Sequence, residues 1–517
     1  MTKNKVFLLG LLLCATGISA QNIYTLGNIS SGDLSGTARY VGMGGAMNAL
    51  GADLSVMSSN PAGIGLYRRS DVAMTIGLSG QEDAQKFHGK DKTHLTFDNL
   101  GFVYAMNTGN GTTKFVNIGF NYRKHKDFST LINTSNDVSG SNASQSWQMA
   151  DLADYWYDAT NTNSPLSYVP PIGQMGYNNY LINELANGGF DAYGASANAY
   201  RQAQWGSIQE YDISLAFNFS NQFYLGFDVG MNNVNYKSYT EYDESLINAA
   251  GAASGDSYLT DHHKLSGTGV DFKLGFIARP VKDNPFRFGI SVITPTFYDL
   301  KHRNTTYLDT DYSNGNSYSH YTDVDYKYNL YTPWRFNLSL GSTFFNQLAV
   351  GAEYEYADFS KAKIAYDNGY WDEWGADTDD DEALKDESDR FMKGVHTFKL
   401  GAEWYIDKNY CIRVGYNHVT SPYEKNAYYN QFINSASLDY ATTTAYMNVS
   451  DINRFTIGLG MTFNKFYIDL TCLAQWQHGD FYPFNTQAGK NNIPNDVPAS
   501  RVNLNRTKGM ITLGYRF

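Results

Sequence analysis

The sequence predicts an all-β fold: a transmembrane antiparallel up-and-down β-barrel of about 14 strands, with an N-terminal segment in its lumen. Three observations predict it. Apolar residues recur with period two along most of the chain. The gaps between these runs alternate between short and long. The last residues alternate up to a terminal aromatic.

Val72, Met74, Ile76 and Leu78 share one face, with Ala73, Thr75 and Gly77 on the other. Val116, Ile118, Phe120 and Tyr122 repeat the pattern, as do Tyr211 to Phe219, Val270 to Phe276 and Phe286 to Val292. Period two with aromatic and β-branched residues is the mark of a strand. The predicted strands are 71–79, 94–107, 114–125, 209–220, 222–240, 260–280, 285–300, 320–341, 347–360, 394–407, 409–422, 452–463, 465–477 and 508–517. Short turns fall at Asn107 to Thr113, Ser220-Asn221, Val281 to Asn284, Ser342 to Asn346, Asp407-Lys408 and Asn464-Lys465. Long polar segments separate them, the longest from Lys126 to Ile208. Short turns on one side and long loops on the other are how a membrane barrel is threaded, and a soluble sandwich has no reason to obey that rule. Closure is required because an open strand edge cannot face lipid, so the strand at Asp71 is expected to pair with the strand ending at Phe517. Ile511, Leu513, Tyr515 and Phe517 resemble the C-terminal assembly signal of outer-membrane proteins, which implies the barrel assembly machinery as a partner.

Composition removes other classes. The net charge of −12 argues against a nucleic-acid partner. Mean hydropathy is −0.42, and no apolar stretch reaches about 18 residues, which excludes a helical membrane protein. Barrel strands escape such averages because apolar and polar residues alternate. Lys3 and Lys5, the apolar run Val6 to Leu13 and Ile18-Ser19-Ala20 read as a signal peptide over 1–20, leaving Gln21 first. Cys14 follows Leu13 rather than a small residue, so a lipid anchor is not expected. Cys411 and Cys472 sit in predicted strands and read as two thiols, buried or lipid-facing, rather than a bridge.

Residues 21–70 differ from the rest. They are rich in small residues, with few charges; 71–517 is the barrel. Ala46 to Leu50 is expected to form a short helix, broken by Ser59-Asn60-Pro61-Ala62-Gly63. A barrel of this size is wider than side chains alone can fill, and a compact glycine-rich segment would plug it. Gly42-Met43-Gly44-Gly45 lacks the third glycine, the preceding strand and the βαβ unit of a dinucleotide loop. Close packing against a wall explains Gly42, Gly44 and Gly45 better.

Thr37-Ala38-Arg39-Tyr40-Val41-Gly42-Met43-Gly44-Gly45-Ala46, followed by Ser58-Ser59-Asn60-Pro61-Ala62-Gly63, resembles the FadL/TodX family of outer-membrane hydrocarbon and fatty-acid transporters. Ile293-Thr294-Pro295-Thr296-Phe297 and Thr332-Pro333-Trp334-Arg335 are similar to further segments of that family. The resemblance implies passive uptake of hydrophobic compounds such as long-chain fatty acids or aromatic hydrocarbons, through a barrel in the outer membrane. It places Asn60, Pro61 and Ala62 at a gate in the hatch, with Gly42, Gly44 and Gly45 in the same hatch. Pocket residues cannot be carried over. Read without the resemblance, Pro61 fixes a backbone turn and Asn60 caps it. The partners implied are hydrophobic small molecules and outer-membrane lipids, and a monomer suffices.

The long segment 126–208 contains two candidate helices, Met149 to Tyr157 and 181–187. Trp147, Tyr155 and Trp156 would give an apolar face, more naturally for packing the loop upon itself than for an outer groove. Asp377, Asp379 and Asp381 alternate as in a calcium loop, but the sixth and twelfth positions are Glu382 and Ser388 rather than Gly and Glu, so a solvated acidic loop is the better reading. His262 and His263 point to opposite faces of a strand and do not readily share a metal. No nucleophile elbow or triad is present, so neither an enzyme nor a cofactor is expected. A surface adhesin or structural barrel with a sealed lumen is the alternative to a transporter.

Overall fold

The computed structural model describes residues 22–109, 111–138, 143–157, 166–186, 188–282, 284–372, 375–485 and 497–517. The expected signal peptide lies outside the described residues. The chain forms a closed antiparallel barrel of 14 strands. These are β1 (Asp71–Gln81), β2 (Thr93–Asn107), β3 (Thr113–Asp127), β4 (Gly194–Phe219), β5 (Phe223–Ile247) and β6 (Ala253–Ala278). β7 runs in two pieces, Arg287–Ile293 and Phe297–Tyr312, as does β8, Ser317–Tyr331 and Arg335–Phe344. β9 (Leu348–Asp358), β10 (Gly394–Tyr405), β11 (Tyr410–Val419), β12 (Ile452–Phe463), β13 (Phe466–Trp476) and β14 (Arg506–Arg516) complete the wall. β1 and β14 pair along their length, Asp71 opposite Arg516, and close it as expected. Beyond that ladder the Phe517 amide donates to the Ser70 carbonyl at 3.0 Å.

The period-two pattern places the apolar set outside. Val72, Met74, Ile76 and Leu78 are exposed on β1, and Phe227, Val229 and Met231 on β5. In water such a face would collapse; in lipid it is the favourable state. The opposite set faces inward and is polar, with Asn117, Asn121, Asp212, Asp228 and Lys273 all buried. Cys411 is buried and Cys472 lies on the outward, exposed face, both as free thiols.

Several expectations are corrected. The predicted strand 285–300 is interrupted at Thr294-Pro295-Thr296 and then continues to Tyr312. Proline has no N–H for the ladder. The neighbouring break at Thr332-Pro333-Trp334 lies alongside, and threonines bridge the two: the Thr296 amide donates to Thr332 Oγ1 at 2.8 Å. The segment 126–208 is less irregular than expected. Its start pairs as Thr130–Asp137 with the upper half of β4, which begins at Gly194. Here the helix expected near Met149 is α3 (Gln145–Trp156). The helix expected over 181–187 is instead a small hairpin, Ile182–Glu184 with Phe190–Ala192, because Gly188 and Gly189 at positive φ turn the chain back. α4 is Pro171–Asn178, where Pro171 starts the helix at a position that needs no N–H. Trp156 donates from Nε1 to the Gln431 carbonyl at 3.2 Å, and Tyr155 packs on Phe432 at 5.4 Å, so these rings pack against another outer segment.

Candidate functional site: the plugged lumen

Residues 22–70 occupy the lumen. α1 (Ile23–Ser30) is capped by Asn22, whose Oδ1 accepts from the Thr25 amide at 3.0 Å. α2 (Ala38–Gly42) is capped by Thr37 in the same way. Ala46 to Leu50 is not the helix expected: it is a turn between Gly45 and Gly51, both at positive φ, and the Asn48 amide donates to the wall carboxylate of Glu353 rather than to a helical carbonyl.

α2 is held by the wall. Arg39 makes a bidentate pair with Glu403 of β10, at 3.0 and 2.8 Å. Arg413 of β11 joins the same carboxylate at 2.6 Å and reaches Asp469 of β13 at 2.6 Å. Ala38 donates to Thr512 at 2.7 Å, and the Ala38 and Gly42 carbonyls accept from Thr471 and Thr456 at 2.6 and 3.0 Å. On the other side Ser58 donates to Asp212 at 2.6 Å. Asp212 belongs to a cluster in which Lys273 Nζ lies 2.6 to 3.0 Å from Asp212, Asp228, Glu210 and Asp271. A buried ammonium requires such neutralisation, and losing one partner from a pair of this kind typically costs about 3–5 kcal/mol.

Asn60, Pro61 and Ala62 form the start of a two-turn 3₁₀ helix, Pro61–Leu66, with Asn60 Oδ1 accepting from the Ala62 amide at 3.2 Å. Asn60 is fully buried. The turn lies flush on the wall because the inward positions beneath it are Gly226 of β5, Gly275 of β6 and Gly289 of β7. A Cβ on Gly275 would meet the Ala62 nitrogen and Pro61 Cδ at 2.9 Å. Gly44, at φ +61°, is pressed against the backbone of Tyr416 on β11, where a Cβ would lie 2.8 Å from its nitrogen. A Cβ on Gly42 would meet Thr471 of the wall, whereas one on Gly45 would first meet Leu34 of the plug itself. Gly42 and Gly44, with the three wall glycines, thus sit where plug and wall touch. The wall glycines were missed by the sequence reading, although their inward phase in the alternation was legible.

Above the plug lies a cavity of about 470 Å³. Tyr40, Ser58 and Ser59 line it, so it reaches the residue before Asn60. Phe128, Leu265, Ile293, Phe359, Val395 and Val419 supply apolar lining. Six cations, Arg123, Lys126, Arg335, Lys399, Arg454 and Arg506, stand against three carboxylates, Asp33, Asp127 and Glu355. Arg123 and Lys399 are paired with Glu210 and Glu355. Lys126 and Arg335 donate to the last carbonyls of α1, those of Asn28 and Ser30. Arg454 is buried, its Nη2 has no hydrogen-bond partner, and its nearest carboxylate is Asp33 at 3.8 Å. These six cations come from five separate strands, so no local motif announced them. Tyr24 of α1 packs on Tyr423 and Tyr446 at 4.9 and 5.5 Å along the same cavity.

His263 also lines the cavity. Its ring stacks on His302 at 4.0 Å, while His262 turns outward onto Tyr239 at 4.8 Å, as opposite faces require. Both residues lie above the apolar band. Burial pushes His263 down to about 4 and His302 well below the usual imidazole range. The acidic stretch lies in strand Gly375–Asp380 and α5 (Glu382–Phe391), which Asp381 caps through the Leu384 amide at 3.0 Å. Among the described residues no group of three or more His, Cys, Asp and Glu side chains is placed to hold a metal.

Wall, plug and cavity define a class of fold: a closed β-barrel with a plugged lumen. Superposition bears on it directly. A FadL homologue from Pseudomonas aeruginosa aligns with a TM-score of 0.53 at 11% identity, over 94% of this chain and 100% of that one. The toluene transporters TodX of Pseudomonas putida and TbuX of Ralstonia pickettii align at TM-scores of 0.49 and 0.48, each at 12% identity over 94% of this chain and 99% of theirs. At such identities the likeness is one of fold. No family model and no curated protein matches the sequence.

Proposed function

We propose that this protein is an outer-membrane channel for the passive uptake of hydrophobic compounds, and that long-chain fatty acids suit it better than neutral aromatic hydrocarbons. The observation that carries this is the cavity above the plug, where apolar walls meet an excess of cations. A carboxylate would answer the open Nη2 of Arg454, and an acyl chain would lie along Phe128, Leu265 and Val395. The same carboxylate would compete with the α1 carbonyls for Lys126 and Arg335, which links ligand to plug. Asn60, Pro61 and Ala62 are the gate in this reading, and Gly42, Gly44 and Gly45 are hinge points of the hatch 21–70. Residues 1–20 are a signal peptide cleaved on export, and the barrel assembly machinery inserts a monomer.

The test is uptake of a labelled long-chain fatty acid and a labelled aromatic hydrocarbon by cells lacking the gene, carrying it intact, or carrying Asn60→Ala with Pro61→Ala. A third variant, Arg454→Met, reads the headgroup. Faster uptake with the intact protein, changed by the hatch variant, is the expected result, and Arg454→Met should slow the fatty acid alone. Rates independent of the protein would return the sealed barrel as the better reading.

A further inference from the structure

The outer surface above the membrane carries a group of closely spaced cations. The last apolar row on the exterior is Tyr211, Met231, Val270, Phe297 and Tyr331, paired in that order across β4 to β8. Four residues further out, Lys301 and Lys327 stand directly opposite each other. Six residues out, Lys237 pairs with Lys264, and Lys264 with Arg303. Asp325 bridges Lys301 and Arg303, each at 2.8 Å. Lys237, Lys264 and Lys327 have no ion-pair partner among the described residues. Like charges directly opposed across a sheet are destabilising. A chain of net charge −12 nevertheless places five cations together here, among three outward carboxylates, Asp299, Asp323 and Asp325.

Immediately beyond this patch runs a chain of rings. Trp205, His88, Tyr239 and His262 succeed one another at 6.1, 3.7 and 4.8 Å. Tyr307 and Tyr321 continue it at 6.4 and 5.8 Å, and these two are 40% and 65% exposed. Lys90 lies over Trp205 at 4.4 Å. Such flat, edge-polar rings on a rigid sheet offer stacking faces to the C–H faces of sugars.

Height selects the occupant. At about 3.4 Å per residue and a tilt of about 40°, four to six residues place the cations about 10–16 Å above the hydrocarbon edge. Phospholipid headgroups reach only about 5–8 Å beyond the core. A headgroup of several sugars bearing phosphates spans that height. We propose that this face of β4 to β8 binds a phosphorylated glycolipid of the outer leaflet, with phosphates on Lys237, Lys264 and Lys327 and sugar rings against Tyr307 and Tyr321. The inference rests on the outer-membrane placement proposed above and not on what the cavity carries.

The test uses the full-length barrel in lipid nanodiscs. The discs contain a diphosphorylated disaccharide lipid, the same lipid without its phosphates, or phosphatidylglycerol. Mass spectrometry reads the lipid retained after a detergent wash. The phosphorylated glycolipid should be retained about tenfold over either comparison lipid, as multiple charge-assisted contacts require. Lys237→Gln with Lys264→Gln and Lys327→Gln should abolish that preference. Tyr307→Ser with Tyr321→Ser should weaken it severalfold while leaving phosphatidylglycerol unchanged. Equal retention of the dephosphorylated lipid or of phosphatidylglycerol, an unaffected triple variant, or displacement by a soluble acidic peptide overturns the assignment. A barrel that does not enter the disc overturns the membrane reading with it. Unchanged fatty-acid uptake in the triple variant separates this site from the transport reading.

Discussion

The two halves of β5 obey opposite rules. In its first half Phe227, Val229 and Met231 face out while Asp228 and Asn232 face in. In its second half Val234 and Tyr236 face in while Asn233, Asn235 and Lys237 face out. The pleat is unbroken, so the change of phase belongs to the chemistry and not to the backbone. Below the change the exterior solvent is lipid and the lumen holds a polar plug. Above it the exterior solvent is water, and the interior gains an apolar cluster that includes Val234, Leu265 and Leu300 beside the cavity. One strand thus records where the membrane ends.

The difference can be broken most strongly from outside. Val229→Arg puts a charge into the apolar band and should cost about 2–4 kcal/mol. Asn235→Arg, on the same face but in water, should stay within about 0.5 kcal/mol. Denaturant unfolding in lipid vesicles measures both, and equal losses would place the membrane edge wrongly. From inside, Gly275→Val should cost about 1–3 kcal/mol by forcing the wall into the Asn60-Pro61-Ala62 turn. Limited proteolysis should then cut within the plug, whereas Gly509→Ala, with nothing within 4 Å of the new methyl, should leave it protected.

The smallest effect is expected of pH on the upper half. His263 is held neutral, down to about 4 against an ordinary 6.5. Below 6.5 the unfolded imidazole takes a proton that the folded one refuses. The stability this group contributes is therefore complete above 6.5 and is lost as pH falls towards 4. Between pH 7 and 5.5 the loss should be about 1 kcal/mol. Faster amide exchange in the outer parts of β6 and β7, reduced in His263→Phe and absent only when His302→Phe is added, would show it. Exchange in the lower half should not change.

Legibility followed the same division. All the barrel strands were readable where lipid imposes a clean alternation, as on β1, β12 and β14. Above the membrane the pattern failed: β5 runs on to Ile247 rather than 240, and β4 begins at Gly194 rather than 209. There both faces mix polar and aromatic residues, since water tolerates Tyr239 outside and the core tolerates Thr240 inside. The Asn60-Pro61-Ala62 turn was visible as a local motif. Its seat on Gly226, Gly275 and Gly289 was not, because those residues lie on three strands far along the chain.

By itself the sequence determined a closed barrel with short turns on one side, a small-residue segment before it, and which face of each spanning strand meets lipid. These follow from local periodicity and from the rule that a backbone in lipid must satisfy itself. Only the tertiary structure decided how the plug is held, that six cations from five strands meet around the cavity beside α1, and that lysines of neighbouring strands stand opposed above the membrane. Each depends on register between segments distant in the chain. Register is set by the whole closed sheet, and no stretch of residues carries it alone.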